Sequence, residues 1–257
     1  MRLTFLGTGT SFGIPQIGCT CAVCTSTDPR DKRNRTAAVI REGGATILID
    51  TPPELRLGLL REGVRVVDAV LFTHDHADHV HGIDDLRALS GHGRGQLPLF
   101  GPADALQRMR QRFDYIFDPL ARPIPGSSRP DVTVTALAPG VEAVVAGVKV
   151  LPLAFSHGPT EVLGYRFARL AYVTDAKQVS AAGREALRGL DVLVLNALFH
   201  RPHPTHLSVP EAVETAQAIG ARRTFLTHLT HETAHAALLA ELPPGIEPAY
   251  DGLVVEV

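Results

Sequence analysis

The sequence predicts a layered α/β fold, and three observations carry that expectation. Short apolar runs rich in Val, Ile and Leu recur along the chain and read as buried strands. Helical stretches alternate with them in the first half. Histidines and aspartates stand repeatedly at the ends of the runs, the rim at which layered α/β proteins gather functional groups. At 257 residues the chain is expected to form one domain over 1–257, a length such folds reach as a single unit.

Leu3 to Leu6 is the first predicted strand, and it runs into Gly7-Thr8-Gly9-Thr10-Ser11-Phe12-Gly13. That glycine-rich segment reads either as a plain strand-ending turn or as a loop whose hydroxyls and amides face an anion. Cys19, Cys21 and Cys24 follow, the only three cysteines of the chain, too close together and odd in number for a disulfide framework. Three thiolates lack one ligand of a zinc tetrahedron, so a histidine from elsewhere would close a structural Cys₃His site; three free surface thiols are the alternative. Thr36 to Arg41 and Ala45 to Asp50 read as a hairpin around Gly43-Gly44. Asp50 emerges at its end, either to orient a ligand imidazole or to cap a helix from Glu54 to Arg61.

Ala69 to Phe72 is a buried strand, and Thr73-His74-Asp75-His76-Ala77-Asp78-His79 comes straight after it. In extended chain His74 and His76 point to the same side, so two imidazoles can meet one ion. A turn before the helix predicted over Gly82 to Leu89 aims Asp78 and His79 at a neighbouring point. The motif therefore suggests two adjacent cations, and its nitrogen and oxygen donors suit zinc, manganese or iron. A solvated polar loop is the plain alternative, and this density of ligand types argues against it. Leu97 to Phe100 reads as a strand, Ala103 to Phe113 as a helix, and the proline-rich stretch Asp118 to Pro130 as a loop.

From Val132 to Tyr172 short strands alternate with Gly and Pro. Val148 to Phe155 leads into His157, and Arg169 to Thr174 ends at Asp175. Asp191 to Leu195 is followed by His200, His203 and His206; Arg222 to Thr227 is followed by His228, with His231 three residues on. Together these supply what the first motif lacks. His74, His76 and His157 would serve one ion, Asp78, His79 and His228 the other, with Asp175 between. A carboxylate bridge holds two cations about 3.5 to 4 Å apart, the separation at which they share a hydroxide.

The net charge of −2, without a basic block, argues against stable nucleic-acid binding. No apolar run approaches the ~20 residues of a membrane helix, and the N-terminus lacks the pattern of a signal peptide, so a soluble, cytoplasmic protein without membrane partners is expected. Apolar edges and helices would support a homodimer.

The motif His74, His76, Asp78, His79, completed by His157, Asp175 and His228, resembles the metallo-β-lactamase superfamily. The resemblance covers nearly the whole chain and implies a four-layer αββα sandwich with a dinuclear site at one edge. Leu6-Gly7-Thr8-Gly9-Thr10, the cysteine segment and Gly82-Ile83-Asp84-Asp85-Leu86-Arg87 are similar to the cyclic phosphodiesterase branch associated with the carbon-phosphorus lyase pathway, the PhnP-like proteins. In that branch the cysteines and a histidine three residues beyond the last catalytic ligand hold a structural zinc, which puts the fourth ligand on His231. The resemblance implies two catalytic Mn²⁺ or Zn²⁺ ions and a small cyclic or nucleotide phosphodiester as substrate. Besides binding metal, Asp78 would help orient the nucleophile, and the resemblance implies a general-acid histidine between the Asp175 and His228 positions. His206 is the candidate, with His200 and His203 as competitors. The pyrroloquinoline quinone biosynthesis protein has a similar cysteine-rich start but a degraded metal motif; thioester or lactam hydrolysis, tRNA 3′-processing and a non-catalytic metal-binding or cofactor-carrier protein are the alternatives. No counterpart of the long tRNA-binding arm is evident, and no ligand of the motif is degraded.

Overall fold

The run Ile47-Leu48-Ile49 shows how the chain builds its layers. Ile47 and Ile49 enter one apolar cluster and Leu48 another, as the two-residue period of a strand requires, and all three are fully buried. A strand covered on both faces needs apolar residues on both, so its sequence reads as a continuous run. The same division holds for Val70 against Leu71, Val194 against Leu195, and Phe225 against Leu226.

The computed structural model describes residues 1–91, 95–118, 120–121 and 125–257. The first half contains β1 (Arg2–Gly7), β2 (Ala37–Glu42), β3 (Ala45–Ile49), α1 (Leu55–Arg61), β4 (Ala69–Leu71), α2 (Ala77–Val80), β5 (Leu97–Gly101), α3 (Ala103–Arg112), α4 (Asp114–Phe117) and β6 (Val132–Ala136). The second half contains β7 (Ala143–Val145), β8 (Val148–His157), β9 (Thr160–Phe167), β10 (Leu170–Tyr172), α5 (Ala181–Ala186), β11 (Val192–Asn196), α6 (Val209–Ile219), β12 (Arg223–Thr227), α7 (His235–Glu241), β13 (Ile246–Pro248) and β14 (Val254–Glu256).

Among the described residues the strands form two seven-stranded sheets, ordered β14-β1-β2-β3-β4-β5-β6 and β13-β12-β11-β10-β9-β8-β7. Leu3, Phe5, Ile40 and Leu71 of the first sheet pack face to face with Tyr165, Tyr172, Val194 and Phe225 of the second. Leu55, Leu59 and Leu106 of α1 and α3 cover the outer face of the first, and Ala212, Ala216 and Leu238 of α6 and α7 that of the second. The expected four layers, helix, sheet, sheet, helix, are therefore present. Within each sheet one set of strands is parallel, β3 to β6 and β10 to β13, so their C-terminal ends share an edge. That edge carries the functional groups.

The segment Ile83–Ala88 is helical as expected but wound as a 3₁₀ helix. Gly82 enters it so close to the neighbouring chain that a Cβ would stand 2.1 Å from Pro52 O. Thr51 N–H donates to His79 O and Gly82 N–H to Thr51 O, which zips the metal motif onto the exit of β3. The loop expected from Asp118 to Pro130 falls in part on positions 119 and 122–124, outside the described residues.

Candidate active site and metal centre

Asp50 leaves β3 and sits fully buried beneath the motif. Its carboxylate accepts the Thr73 N–H at 2.8 Å, the Thr73 hydroxyl at 2.8 Å and the Nδ1–H of His79 at 2.7 Å. Of the two readings of Asp50, imidazole orientation holds, since α1 begins without any side-chain cap bond. The exit of β4 is clamped from the other sheet, where the Tyr165 hydroxyl donates to Phe72 O at 2.5 Å and Leu163 N–H donates to Thr73 O at 2.9 Å.

Asp50, Asp175 and His228 turn off their strands with φ of 60°, 58° and 58°. This left-handed backbone costs a side-chain-bearing residue on the order of 1–3 kcal/mol and persists where the surroundings fix it. At Asp175 the surroundings are visible: Asn196 donates to Ala176 O at 3.0 Å and accepts Ala176 N–H at 2.8 Å. Leu207 N–H donates to the same Ala176 carbonyl at 2.9 Å. Ser208 and Glu211 then form a capping box that starts α6, so the residue just before Leu207, His206, is held beside Asp175.

These turns bring the predicted residues together. Ligand-type atoms of His74, His76 and His157 lie within 4.8 Å of one another, as do those of Asp78, His79 and His228. Those of His74, His79 and Asp175 form a third such set, so Asp175 and His79 stand where the two triplets meet. The hydrogen bonds also fix which ring nitrogens face inward. His79 gives its Nδ1–H to a carboxylate, and His157 gives its Nδ1–H to Thr205 O at 3.0 Å. His74 Nδ1 lies 3.0 Å from Thr73 Oγ1, whose own proton is committed to Asp50, so His74 is the donor there. Each of the three rings therefore turns its Nε2 into the site, where it can give a lone pair to a metal.

Those nitrogens test whether metal fits. His74 Nε2, His79 Nε2 and both ring nitrogens of His228 are buried without a hydrogen-bond partner. A buried polar atom left unpaired costs about 1–3 kcal/mol. His157 Nε2 faces His76 Nδ1 at 3.4 Å, and His228 Nε2 lies 3.2 Å from Asp175 Oδ1 and 3.7 Å from Asp78 Oδ2. Converging imidazole lone pairs and carboxylates call for cations, and divalent metals fit the donor set.

Without metal the same crowding shifts the titrations. Burial and the neighbouring imidazoles hold His74 well below its ordinary value. Burial alone would raise Asp78 and Asp175, but the histidines beside them outweigh it and keep both carboxylates ionised. Burial likewise opposes a charge on His79, yet Asp175, Asp78 and Asp50 together drive its pKa well above the ordinary range.

A second cluster lies next to this one. Cys19, Cys21 and Cys24 present their Sγ atoms 3.3, 3.3 and 3.6 Å from Nδ1 of His231. A tetrahedral zinc with sulfur at ~2.3 Å and nitrogen at ~2.0 Å sets its donors about 3.5 Å apart, so the four groups fit such an ion. The Cys21 thiol is held down at about 6 by the Cys24 N–H and then by His231, while burial pushes Cys24 up to about 11. His231 follows His228 by three residues, and Leu229 N–H donates to Thr8 O while Thr10 N–H donates to Leu229 O. The glycine-rich loop is thus tied to the strand exit that carries both histidines.

The site opens into a cleft of about 470 Å³. Ser11 and Phe12 of the glycine-rich loop line one part, with Phe12 63% exposed, and Phe199, Arg201 and His203 line another. His206 reaches the floor, its Nε2 2.9 Å from Asp175 Oδ1. Burial holds its pKa below the ordinary value even with Asp175 alongside. His203 Nδ1 is 3.3 Å from His206 Nδ1. His200 is turned away, with Nε2 2.7 Å from Glu241 Oε1, and does not line the cleft. Sequence reasoning did not find Thr73, Asn196 or Arg201; the one available signal was a polar residue closing an apolar strand, as Asn196 does for β11.

A family model described as a beta-lactamase superfamily domain matches residues 45–229. An octanoyltransferase of Porphyromonas gingivalis is 39% identical across 98% of this chain, and the chain spans 51% of that protein's length. A ribonuclease Z of Myxococcus xanthus is 25% identical over 100% of this chain and 98% of its own. Among solved structures, a diphosphatase from the PhnP family superposes with a TM-score of 0.91 at 40% identity, covering 100% of this chain and 97% of that one. Zinc-bound PqqB from Methylobacterium extorquens superposes with a TM-score of 0.79 over 100% of both chains, at 18% identity, and shares the fold.

Proposed function

This chain belongs to the beta-lactamase superfamily as a PhnP-like hydrolase of the metallo-β-lactamase type, and from that membership we propose that it cleaves a bond at phosphorus, in a phosphodiester or a doubly esterified diphosphate. In this reading His74, His76 and His157 would hold one divalent cation and Asp78, His79 and His228 the other, with Asp175, which groups with His74 and His79, available to both. When bound, two such cations, Mn²⁺ or Zn²⁺, supply Lewis acidity toward phosphoryl oxygens and a nucleophile at neutral pH.

The chain's own groups do the rest. Asp50 and Thr73 fix the rings of His79 and His74. Asp78, which lines the cleft, orients the attacking water. His206 holds a proton on Nε2 and delivers it to the departing oxygen. The position of His206 is the observation that carries the reading. A proton donor 2.9 Å from Asp175 serves an alkoxide or phosphate leaving group, whereas a thiolate leaves without one. The resemblance to a diphosphatase adds support. The octanoyltransferase match favours a second reading, hydrolysis of an acyl thioester.

The deciding experiment strips the protein of metal, restores Mn²⁺ or Zn²⁺, and offers bis(p-nitrophenyl) phosphate, 2′,3′-cyclic nucleotides, a dialkyl diphosphate and an octanoyl thioester. Turnover of phosphorus substrates alone is expected. Turnover of the thioester with none at phosphorus would replace the proposal by the second reading.

For the cysteine cluster the proposal is a structural zinc on Cys19, Cys21, Cys24 and His231. Cys24→Ser is expected to remove one equivalent of zinc and about 3 kcal/mol of stability, a fall of roughly 10 °C in melting temperature. Metal analysis and calorimetry check it; a variant that keeps its zinc and its melting point would leave the cysteines without that role.

A further inference from the structure

We infer that Arg201 is the specificity-determining residue that binds the second, non-reacting phosphate of a diphosphate substrate. The inference rests on cleavage at phosphorus as proposed above and names which phosphorus compounds the cleft prefers.

Among the described residues Arg201 is the one Lys or Arg that lines the cleft, whose lining also includes the carboxylates of Asp78, Asp175 and Glu232. A diphosphate brings negative charge on two phosphorus groups. The metal centre answers the charge on the group under attack; the other, one bridging oxygen away, needs a cation of its own. His76, His157, His206 and His228 are committed to the metal-facing cluster, and Arg201 is the permanently charged group that remains.

Its geometry is that of a prepared receptor. The Arg201 Cζ lies 3.9 Å from the centroid of the Phe199 ring, so the planar head is laid on an aromatic face. A single nitrogen, Nη1, makes both contacts with Glu232, at 2.7 and 2.9 Å. The edge formed by Nε and Nη2 has no partner among the described residues. That edge presents two parallel N–H groups, the fork that grips two oxygens of one phosphate. With its side chain 61% exposed, Arg201 is open to a ligand entering from solvent.

Glu232 explains why the site would discriminate rather than bind anions at large. It holds the guanidinium in place and cancels part of its charge, so a single weak anion gains little. A diphosphate is anchored at the metal centre first and meets the fork at high effective concentration. A phosphodiester, anchored the same way, has nothing to offer Arg201.

The test compares two substrates with the same ends, P¹-adenosyl-P²-methyl diphosphate and adenosine 5′-methyl phosphate, on the metal-loaded protein. In Arg201→Gln the ratio of kcat/KM, diphosphate over phosphodiester, is expected to fall about tenfold, through KM, the worth of a partly exposed charge-assisted contact. Glu232→Gln is expected to lower KM for the diphosphate by releasing the charge it cancels. A binding readout stands apart from turnover: by calorimetry, the methylene-bridged analogue of the diphosphate should bind Arg201→Gln about tenfold more weakly than the parent. An unchanged ratio with equal affinity for the analogue, or no analogue binding by the parent, overturns the inference and leaves cleavage at phosphorus standing. Arg201-dependent binding of the analogue without turnover of either substrate does the reverse, sustaining the subsite and sinking the proposed reaction.

Discussion

His79→Ala is expected to lose activity by three orders of magnitude or more and to bind less metal than the parent. Among the described residues no other histidine ring has as many charged neighbours. Its Nδ1 is bonded to Asp50, and its Nε2 stands 3.4 Å from Asp78 and 3.3 Å from Asp175. Removing it leaves three carboxylates around a hole, with Asp50 wholly buried, without its positive counterpart and holding only its two bonds from Thr73. Burial already raises the Asp50 carboxyl, and losing His79 first among its compensations leaves it to take up a proton. Asp50→Asn, which keeps the shape and the Thr73 contact but can present the wrong hydrogen to His79, should fall between, at about 10–100-fold in metal affinity. In the metal-free parent the raised His79 pKa adds stability that is fully present below the unfolded value near 6.5 and is lost as pH rises through the folded one. Metal has to displace that proton, so uptake should release protons and tighten with rising pH. Metal analysis, calorimetry in two buffers and kcat/KM on a phosphodiester check the set. Full metal content in His79→Ala would remove it from the ligand set.

Much of this site was legible because the motif places its ligands by chain geometry alone. His74, His76, Asp78 and His79 need only a strand exit and a turn to split between two points, and the sequence contains both. His157, Asp175 and His228 were legible as strand-end residues, but their convergence depends on left-handed turns at Asp175 and His228 that no residue type announces. Asp50 stayed ambiguous between cap and imidazole partner until the 29-residue separation from His79 closed to 2.7 Å. Short elements were lost for another reason. β13 and β14 have three residues each, too few for a two-residue period to register, and α5 buries none of its residues, so it has no apolar stripe to read. The stacking of Arg201 on Phe199 with Glu232 behind it joins positions 31 residues apart that carry no motif. The close approach of Gly82 to Pro52 O, which leaves no room for a side chain there, joins positions 30 residues apart and is not readable locally.

Removing the His206 imidazole should separate leaving groups rather than slow every reaction alike. His206→Ala is expected to cost about 10²-fold or more on an alkyl phosphodiester or a 2′,3′-cyclic nucleotide, and only a few-fold on bis(p-nitrophenyl) phosphate. The departing alkoxide must be protonated as its bond to phosphorus breaks, whereas p-nitrophenolate is stable as the anion. His206 suits the task by position, with Nε2 facing Asp175 in the floor of the cleft and Nδ1 backed by the Thr205 hydroxyl at 2.8 Å. His203, behind that hydroxyl at 3.2 Å, can pass a proton to His206 but lies farther from the ligand triplets, so His203→Ala should show a weaker form of the same split. His200, paired with Glu241 away from the cleft, should show none. A purely structural role is distinguishable. If His206 did no more than hold Asp175, its loss would disturb the metal centre and slow good and poor leaving groups equally, with metal content falling in parallel. Equal slowing would therefore transfer His206 from proton donor to support for Asp175, and a steep dependence on the leaving group would keep the acid where the fold has tied it.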